Sequence, residues 1–165
     1  MVRLMIVDDS DAICAVWQDM LSRIAGIEIC GTYASTLPAL EAICRDTPDV
    51  ILLDIELGTE SGSQVLRFAT SNFPGIKVIV VSNYVDKVYR RHYINAGAYA
   101  FFDKSHELNR LKGILLGLAE AENVKRRKGE PRSSFAHPAC VGGDGKIPFL
   151  FHPLISPTDI RCSAR

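Results

Sequence analysis

Residues 50–54 read Val-Ile-Leu-Leu-Asp, four consecutive apolar side chains that end in a carboxylate. A short run that is apolar at every position is typical of a strand covered on both faces, as in a parallel sheet between two layers of helices. Four comparable runs occur at residues 4–7, 27–32, 76–81 and 99–102. The sequence therefore predicts five short buried strands.

Helical patterns separate these strands. Between the first two, Ile13, Trp17 and Leu21 belong to an apolar series with the spacing of one helix face. Similar segments lie near residues 36–46, 62–73 and 85–96, and a last helix is predicted after Ser105, its expected N-cap. Strand–helix alternation repeated five times predicts a doubly wound α/β domain over residues 1–124, with a five-stranded parallel sheet and five flanking helices.

The chain changes character after residue 124. Of its 19 basic and 19 acidic residues, eight basic and three acidic ones lie in residues 125–165, which leaves eleven and sixteen before them. Prolines and glycines recur there without a helix or strand period. Residues 125–165 are therefore predicted to form a flexible basic tail.

The overall composition narrows the class of protein. A net charge of zero argues against a nucleic-acid partner. No apolar run approaches the ~18 residues that a membrane span needs, and the acids at positions 8 and 9 come too early for a secretion signal. Five cysteines without a spacing pattern are typical of a reducing compartment. We expect a cytoplasmic protein without a membrane partner.

Polar residues stand at the carboxyl ends of four predicted strands: Asp8, Asp9, Asp54, Ser82 and Lys104. Parallel sheets form their sites at this edge. Two carboxylates ~4 Å apart repel by roughly 4 kcal/mol at an effective dielectric constant near 20, so such a cluster must protonate, hydrate or bind a cation. All-oxygen ligands favour a hard ion, and Mg²⁺ is the natural candidate.

These residue types suit phosphoryl transfer. Asp54 is a carboxylate nucleophile able to form an acyl phosphate. The metal ion and Lys104 would neutralise charge on the phosphoryl oxygens, and Ser82 could donate a hydrogen bond to one of them.

Four sequence elements, in this order, resemble the receiver domains of response regulators of the chemotaxis-regulator-like, single-domain type. They are Val7-Asp8-Asp9-Ser10, Leu53-Asp54-Ile55 with Gly62 eight residues after Asp54, Val81-Ser82-Asn83, and Gly-Ala-Tyr-Ala-Phe-Phe-Asp-Lys at residues 97–104. The resemblance covers about residues 2–122. It implies a flavodoxin-like sheet with the strand order 2-1-3-4-5.

The resemblance also implies a role for each acidic residue. Asp54 would accept the phosphoryl group from the phosphohistidine of a sensor histidine kinase or phosphotransfer protein. Asp9 would bind Mg²⁺ directly, Asp8 mainly through water, and Asp54 and the backbone carbonyl of Glu56 would complete the protein ligands.

For the other positions it implies phosphate binding and signalling. Ser82 and Lys104 would contact the phosphoryl group. Phe101 occupies the aromatic switch position, where the side chain turns inward on phosphorylation. The signal would pass to an unidentified downstream protein through the surface formed by the fourth helix, fifth strand and fifth helix.

The sequence departs from the family pattern at four places. Ser105 replaces a proline that usually follows the lysine in a cis peptide, which puts the loop geometry after Lys104 in doubt. Gly58 stands where proline is common, and Asn83 is bulkier than the usual small residue. Phe101 lacks a hydroxyl, so a switch there must work by packing alone.

Three other interpretations are open. Asp8 and Asp9 could only complement the dipole of the first helix. The chain could be a DNA-binding transcriptional regulator, although residues 125–165 show no helix-turn-helix pattern. Asp54-Ile55-Glu56 superficially resembles the paired acids of haloacid-dehalogenase-type phosphatases, although that motif has Asp second and lies on the first strand. We favour a phosphoacceptor signalling protein rather than an enzyme with an outside substrate.

Overall fold

The computed structural model describes residues 1–84 and 86–129, and in it the five predicted strands form one parallel sheet. The strands are β1 Val2–Val7, β2 Ile27–Tyr33, β3 Val50–Asp54, β4 Lys77–Ser82 and β5 Ala100–Asp103. Their order is β2-β1-β3-β4-β5, as the resemblance implies. The predicted fold class is confirmed, and each strand begins and ends within two residues of its prediction.

Five helices cover the sheet: α1 Asp11–Ser22, α2 Thr36–Asp46, α3 Ser63–Asn72, α4 Lys87–Asn95 and α5 Leu108–Arg127. Alternate residues of each central strand point to opposite faces. Met5 and Ile51 pack in one core with α2, α3 and α4, whereas Leu4 and Leu52 pack in the other with α1 and α5. Burial on both faces is the physical reason for the continuous apolar runs.

The strand register brings the site to one edge. Val7 pairs with Leu53, Asp54 with Val81, and Ser82 with Asp103. Since all these strands are parallel, their carboxyl ends finish at nearly the same level. Residues at or just after those ends therefore gather at a single edge of the sheet.

The prediction that Ser105 caps the last helix is wrong. α5 begins at Leu108, and Ser105 lies in the preceding turn, where its backbone N–H donates to Asp103 Oδ1 at 2.7 Å. The turn after β5 is stabilised by the aspartate at the strand end, so the N-cap is Glu107 and the helix starts two residues later than a cap at Ser105 predicts.

The helical part extends beyond the predicted boundary at residue 124. Lys125, Arg126 and Arg127 form the last turn of α5, where positive charge complements the helix dipole. Residues 130–165, most of the predicted tail, lie outside the described residues, as does Val85 before α4. Within the described residues, no helix is long and apolar enough to cross a membrane.

Candidate functional site

The first feature of the site is a lysine that bridges two carboxylates. Lys104 Nζ donates to Asp8 Oδ2 at 2.7 Å and to Asp54 Oδ2 at 2.6 Å. All three side chains are nearly inaccessible to solvent, with 7%, 1% and 10% of their side-chain surface exposed. Residues 96 and 50 positions apart in the chain therefore meet in one buried ion-pair network.

Burial and the ion pairs shift the pKa values of both Asp54 and Lys104. Burial raises the pKa of Asp54, and the nearby Asp8 carboxylate adds to this, while the Lys104 ammonium opposes it only in part. Burial alone would lower the pKa of Lys104, but its hydrogen bonds and charge interactions with Asp54 and Asp8 leave that pKa raised. Lys104 thus stays cationic where negative charge must be neutralised.

A group of carboxylates suits a metal ion. Asp8, Asp9 and Asp54 each offer an oxygen, and the three oxygens lie within 4.8 Å of one another. Asp8 and Asp54 are buried, whereas Asp9 is exposed at the mouth of the site. Carboxylate oxygens without histidine or cysteine are the donor set of a hard divalent cation such as Mg²⁺, so these residues fit the expected ion.

Asp8 also organises the start of α1. Its Oδ1 accepts the Ser10 N–H at 3.0 Å, and Ser10 in turn caps α1 by accepting the Ile13 N–H. The N-cap residue of α1 is therefore Ser10, not Asp8 or Asp9. Asp8 Oδ2 is directed instead to Lys104.

Ser82 lies beside this network at the end of β4. It is buried, its Oγ accepts the Tyr84 N–H at 2.9 Å, and its carbonyl oxygen accepts the Lys104 N–H at 3.0 Å. Since a hydroxyl carries one donor and two acceptor positions, the Ser82 proton remains available for a ligand oxygen. The same residue links β4 to the backbone of the lysine.

The loop after Asp54, residues 55–62, is held at its far end by a glycine. The Gly62 N–H donates to Ile55 O at 2.7 Å. A Cβ on Gly62 would lie 2.1 Å from Asp54 O, so no side chain fits there without a backbone shift. This close approach explains the glycine eight residues after Asp54.

In the middle of the loop, Glu56–Leu57 pair with Glu60–Ser61 in a short antiparallel ladder that the sequence did not predict. Gly58 forms its turn with φ +61°, a conformation that proline cannot adopt. This accounts for the departure from the family pattern at position 58. The Glu56 side chain is exposed, while its N–H donates to Asp54 Oδ1 at 3.3 Å.

Glu60 ties the loop to α2. Its Oε2 accepts the Thr36 N–H at 2.7 Å, at the helix end where the N-cap residue Ser35 makes no side-chain bond. Hydrogen bonds from Thr36 lower the pKa of Glu60. The sequence interpretation missed this residue, because a cap supplied from 24 residues away leaves no local signal.

Phe101 does not lie with the acidic residues. Its ring is buried in the core beside Tyr93, with the ring centroids 6.1 Å apart, and the Arg90 guanidinium lies over it at 5.2 Å. The peptide bond between Lys104 and Ser105 is trans, as are all peptide bonds of the described residues. The loop after Lys104 therefore lacks the cis peptide that the family proline usually provides.

The chain matches the family model described as the response regulator receiver domain over residues 4–116. Among relatives, it is 30% identical over 163 residues to protein-glutamate methylesterase/protein-glutamine glutaminase 1 of Paramagnetospirillum magneticum, covering 97% of this chain and 42% of that protein. A protein of the same name, numbered 4, from Geobacter metallireducens is 36% identical over 86 residues, covering 52% and 24%. The chain thus spans less than half the length of these relatives.

Solved structures agree on the fold. The response regulator domain of Thermotoga maritima CheB superposes with a TM-score of 0.64 and 24% identity, covering 73% of this chain and 95% of that one. The signal receiver domain of a putative Luxo repressor protein from Vibrio parahaemolyticus gives 0.65 and 25%, covering 74% and 95%. A Burkholderia pseudomallei response regulator with a phosphorylated aspartic acid, calcium ion and citrate gives 0.62 and 16%, covering 79% and 76%.

The family match spans the strand ends that carry Asp8, Asp54 and Ser82 and includes Lys104, and the solved structures share this fold. The chain therefore belongs to the response regulator receiver domain family, the receivers of two-component signalling.

Proposed function

We propose that Asp54 accepts a phosphoryl group from the phosphohistidine of a sensor histidine kinase or phosphotransfer protein, in a Mg²⁺-dependent reaction in the cytoplasm. The observation that carries this proposal is the Lys104 ammonium held between Asp8 and Asp54 at 2.7 and 2.6 Å. A fixed ammonium beside the carboxylate supplies positive charge where the oxygens of a transferred phosphoryl group would lie, which supports phosphoryl transfer to Asp54.

In this reaction an Asp54 carboxylate oxygen attacks phosphorus as the bond from phosphorus to the histidine nitrogen breaks. The bonding electron pair stays with the imidazole nitrogen, which takes up a proton. Lys104 already donates to Asp54 Oδ2, and Glu56 N–H to Oδ1, so the nucleophile is oriented before a donor arrives. Ser82 and Lys104 would then donate to the phosphoryl oxygens.

The metal would be held by Asp8, Asp9 and Asp54 with the backbone carbonyl of Glu56. When bound, Mg²⁺ supplies positive charge that neutralises the phosphoryl oxygens. The carboxylate oxygens within 4.8 Å of one another support this assignment.

The output would be contact with a downstream protein at the surface formed by α4, β5 and α5, including the segment that leads into α4. Tyr84, Val88 and Tyr89 are exposed there, between 42% and 76%, next to the basic side chains of Lys87 and Arg91. We infer a phosphoacceptor that turns over no outside substrate. The methylesterase and glutaminase activities belong to relatives of which this chain spans less than half.

Intact mass spectrometry after incubation with acetyl phosphate and Mg²⁺ tests the proposal. One phosphoryl adduct is expected on the wild type and none on Asp54→Ala. Asp103→Asn is the matched control, because Asp103 ends a neighbouring strand but does not belong to the metal-ligand group. An adduct that persists in Asp54→Ala, or no wild-type adduct at any Mg²⁺ concentration, would overturn the assignment.

A further inference from the structure

β5 is an edge strand, and two charged side chains from neighbouring helices cover its outer edge. Arg90 of α4 donates from Nη1 to Phe101 O at 2.9 Å and from Nη2 to Glu107 Oε2 at 2.5 Å. The same Glu107 oxygen accepts the Asp103 N–H at 3.0 Å. The pair therefore binds α4, β5 and the start of α5 to one another.

The Arg90 guanidinium also lies over the ring of Phe101, the residue at the switch position. Its guanidinium lies 5.2 Å from the Phe101 ring centroid, on a ring that is only 3% exposed. An outward turn of Phe101 would have to displace this guanidinium and break its stacking with the ring.

Arg90 is itself oriented by Glu107. The Glu107 side chain is only 15% exposed and also pairs with Arg110. A partly buried carboxylate that accepts from two arginines and a backbone N–H holds the guanidinium more firmly than an exposed surface pair does.

Helix α4 buries few of its own side chains. Tyr93 is its one buried residue among those described. The polar contacts of Arg90 therefore add to the packing of Tyr93 in attaching α4, and they do so beside the Phe101 ring.

We propose that the Arg90–Glu107 pair is a latch that holds Phe101 inward whether or not Asp54 is phosphorylated. The proposal rests on the proposed function and deepens it. It assigns which contact sets the position of the Phe101 ring at the proposed output surface. The resemblance alone implies that phosphorylation turns the ring inward. In this chain the inward position is stabilised in advance by a contact between two helices.

Fluorine NMR of protein labelled with 4-fluorophenylalanine tests the latch. The chain has seven phenylalanines, and the Phe101 resonance is the one that Phe101→Tyr removes. The frequency change between H₂O and D₂O reports exposure of the ring. The measurement is made without a phosphate analogue and again with beryllofluoride and Mg²⁺.

In the wild type the Phe101 resonance is expected to show no solvent isotope shift in either condition. In Arg90→Met without the analogue, the inward-to-outward ratio should fall by about tenfold or more, since hydrogen bonds to charged groups are lost. Beryllofluoride should restore the inward position in this variant. Arg91→Met, at an adjacent exposed arginine, should match the wild type.

Glu107→Gln is the second variant, in case Arg90→Met fails to fold. It should also lower the inward-to-outward ratio of the Phe101 ring. A Phe101 resonance that stays buried in both variants, or one that is already exposed in the unliganded wild type, would overturn the latch. Failure of the proposed function would be seen separately, as the absence of a phosphoryl adduct in the mass spectrum. The comparison of wild type and Arg90→Met without beryllofluoride would still test the latch in that case.

Discussion

The loop after Asp54 and helix α4 each follow a strand whose end contributes a residue to the candidate site, yet they are attached to the domain in opposite ways. The loop, residues 55–62, has only the short ladder of Glu56–Leu57 with Glu60–Ser61, but it is held by buried Leu57, by the bond from Glu60 to α2 and by the bond from Gly62 to Ile55. α4 is a regular helix held mainly by Tyr93 and Arg90. Helical hydrogen bonds are internal to a helix and do not fasten it to its neighbours. Of these two elements, α4 should therefore move at the smaller cost in free energy.

The largest effect is expected where the loop passes closest to the backbone of Asp54. Gly62→Ala places a Cβ 2.1 Å from Asp54 O and should lower the free energy of unfolding by about 3 kcal/mol, measured by urea denaturation. Gly113→Ala is the control, because nothing lies within 4 Å of its added Cβ, and it should stabilise α5 by ~0.5–1 kcal/mol. Equal stability of Gly62→Ala and wild type would show that the loop is not held there.

The second prediction tests whether the loop is held from α2 as well. Glu60→Gln weakens the bond to the Thr36 N–H and should loosen the segment that carries the Glu56 carbonyl. Mg²⁺ affinity, measured by calorimetry on unphosphorylated protein, should fall by roughly threefold to tenfold. Glu41→Gln, at an exposed acid of α2, should leave it unchanged. An unaltered affinity in Glu60→Gln would remove Glu60 from the support of the site.

The third prediction concerns the attachment of α4 and its dependence on pH. Burial alone would raise the pKa of Glu107, but hydrogen bonds from Arg90 and Asp103 and the charges of Arg90 and Arg110 leave it below the ordinary 4.5. A carboxylate with a lowered folded-state pKa stabilises the fold fully above pH 4.5, and this stabilisation is lost as pH falls through the lower value.

Glu107→Gln should therefore be less stable than the wild type at about pH 7, with the difference closing below pH 4.5. Urea denaturation over a pH series measures it. Glu120→Gln, at an exposed acid of α5, is the control and should differ little from the wild type at about pH 7. A Glu107→Gln difference of constant size would mean that its charge does not fasten α4.

The smallest effect is expected on the outer face of α4. Val88 is 76% exposed, so Val88→Ala should change the free energy of unfolding by no more than about 0.5 kcal/mol. Leu21→Ala in α1, a fully buried aliphatic position, should cost about 2–5 kcal/mol in the same assay. A large loss in Val88→Ala would mean that α4 is fastened more firmly than its burial indicates.

Much of the candidate site could be predicted because its residues lie at or just after the carboxyl ends of strands. Asp8, Asp54, Ser82 and Lys104 each follow or close an apolar run, and the topology of a parallel sheet brings such ends together. The sequence interpretation erred at Ser105, where a strong local N-cap preference lost to the turn that Asp103 stabilises. Local preference does not reveal which of several hydrogen-bond acceptors a backbone N–H will find.

By itself the sequence determined the number of strands in the parallel sheet, their burial on both faces and the edge at which the candidate site lies, because hydrophobic periodicity and chain order are local properties. Only the tertiary structure decided that Lys104 bridges Asp8 and Asp54, that Glu60 caps α2 and that Arg90 encloses Phe101. These contacts join residues between 11 and 96 positions apart. Their geometry depends on how the packed helices and strands face each other, which no pattern of neighbouring residues encodes.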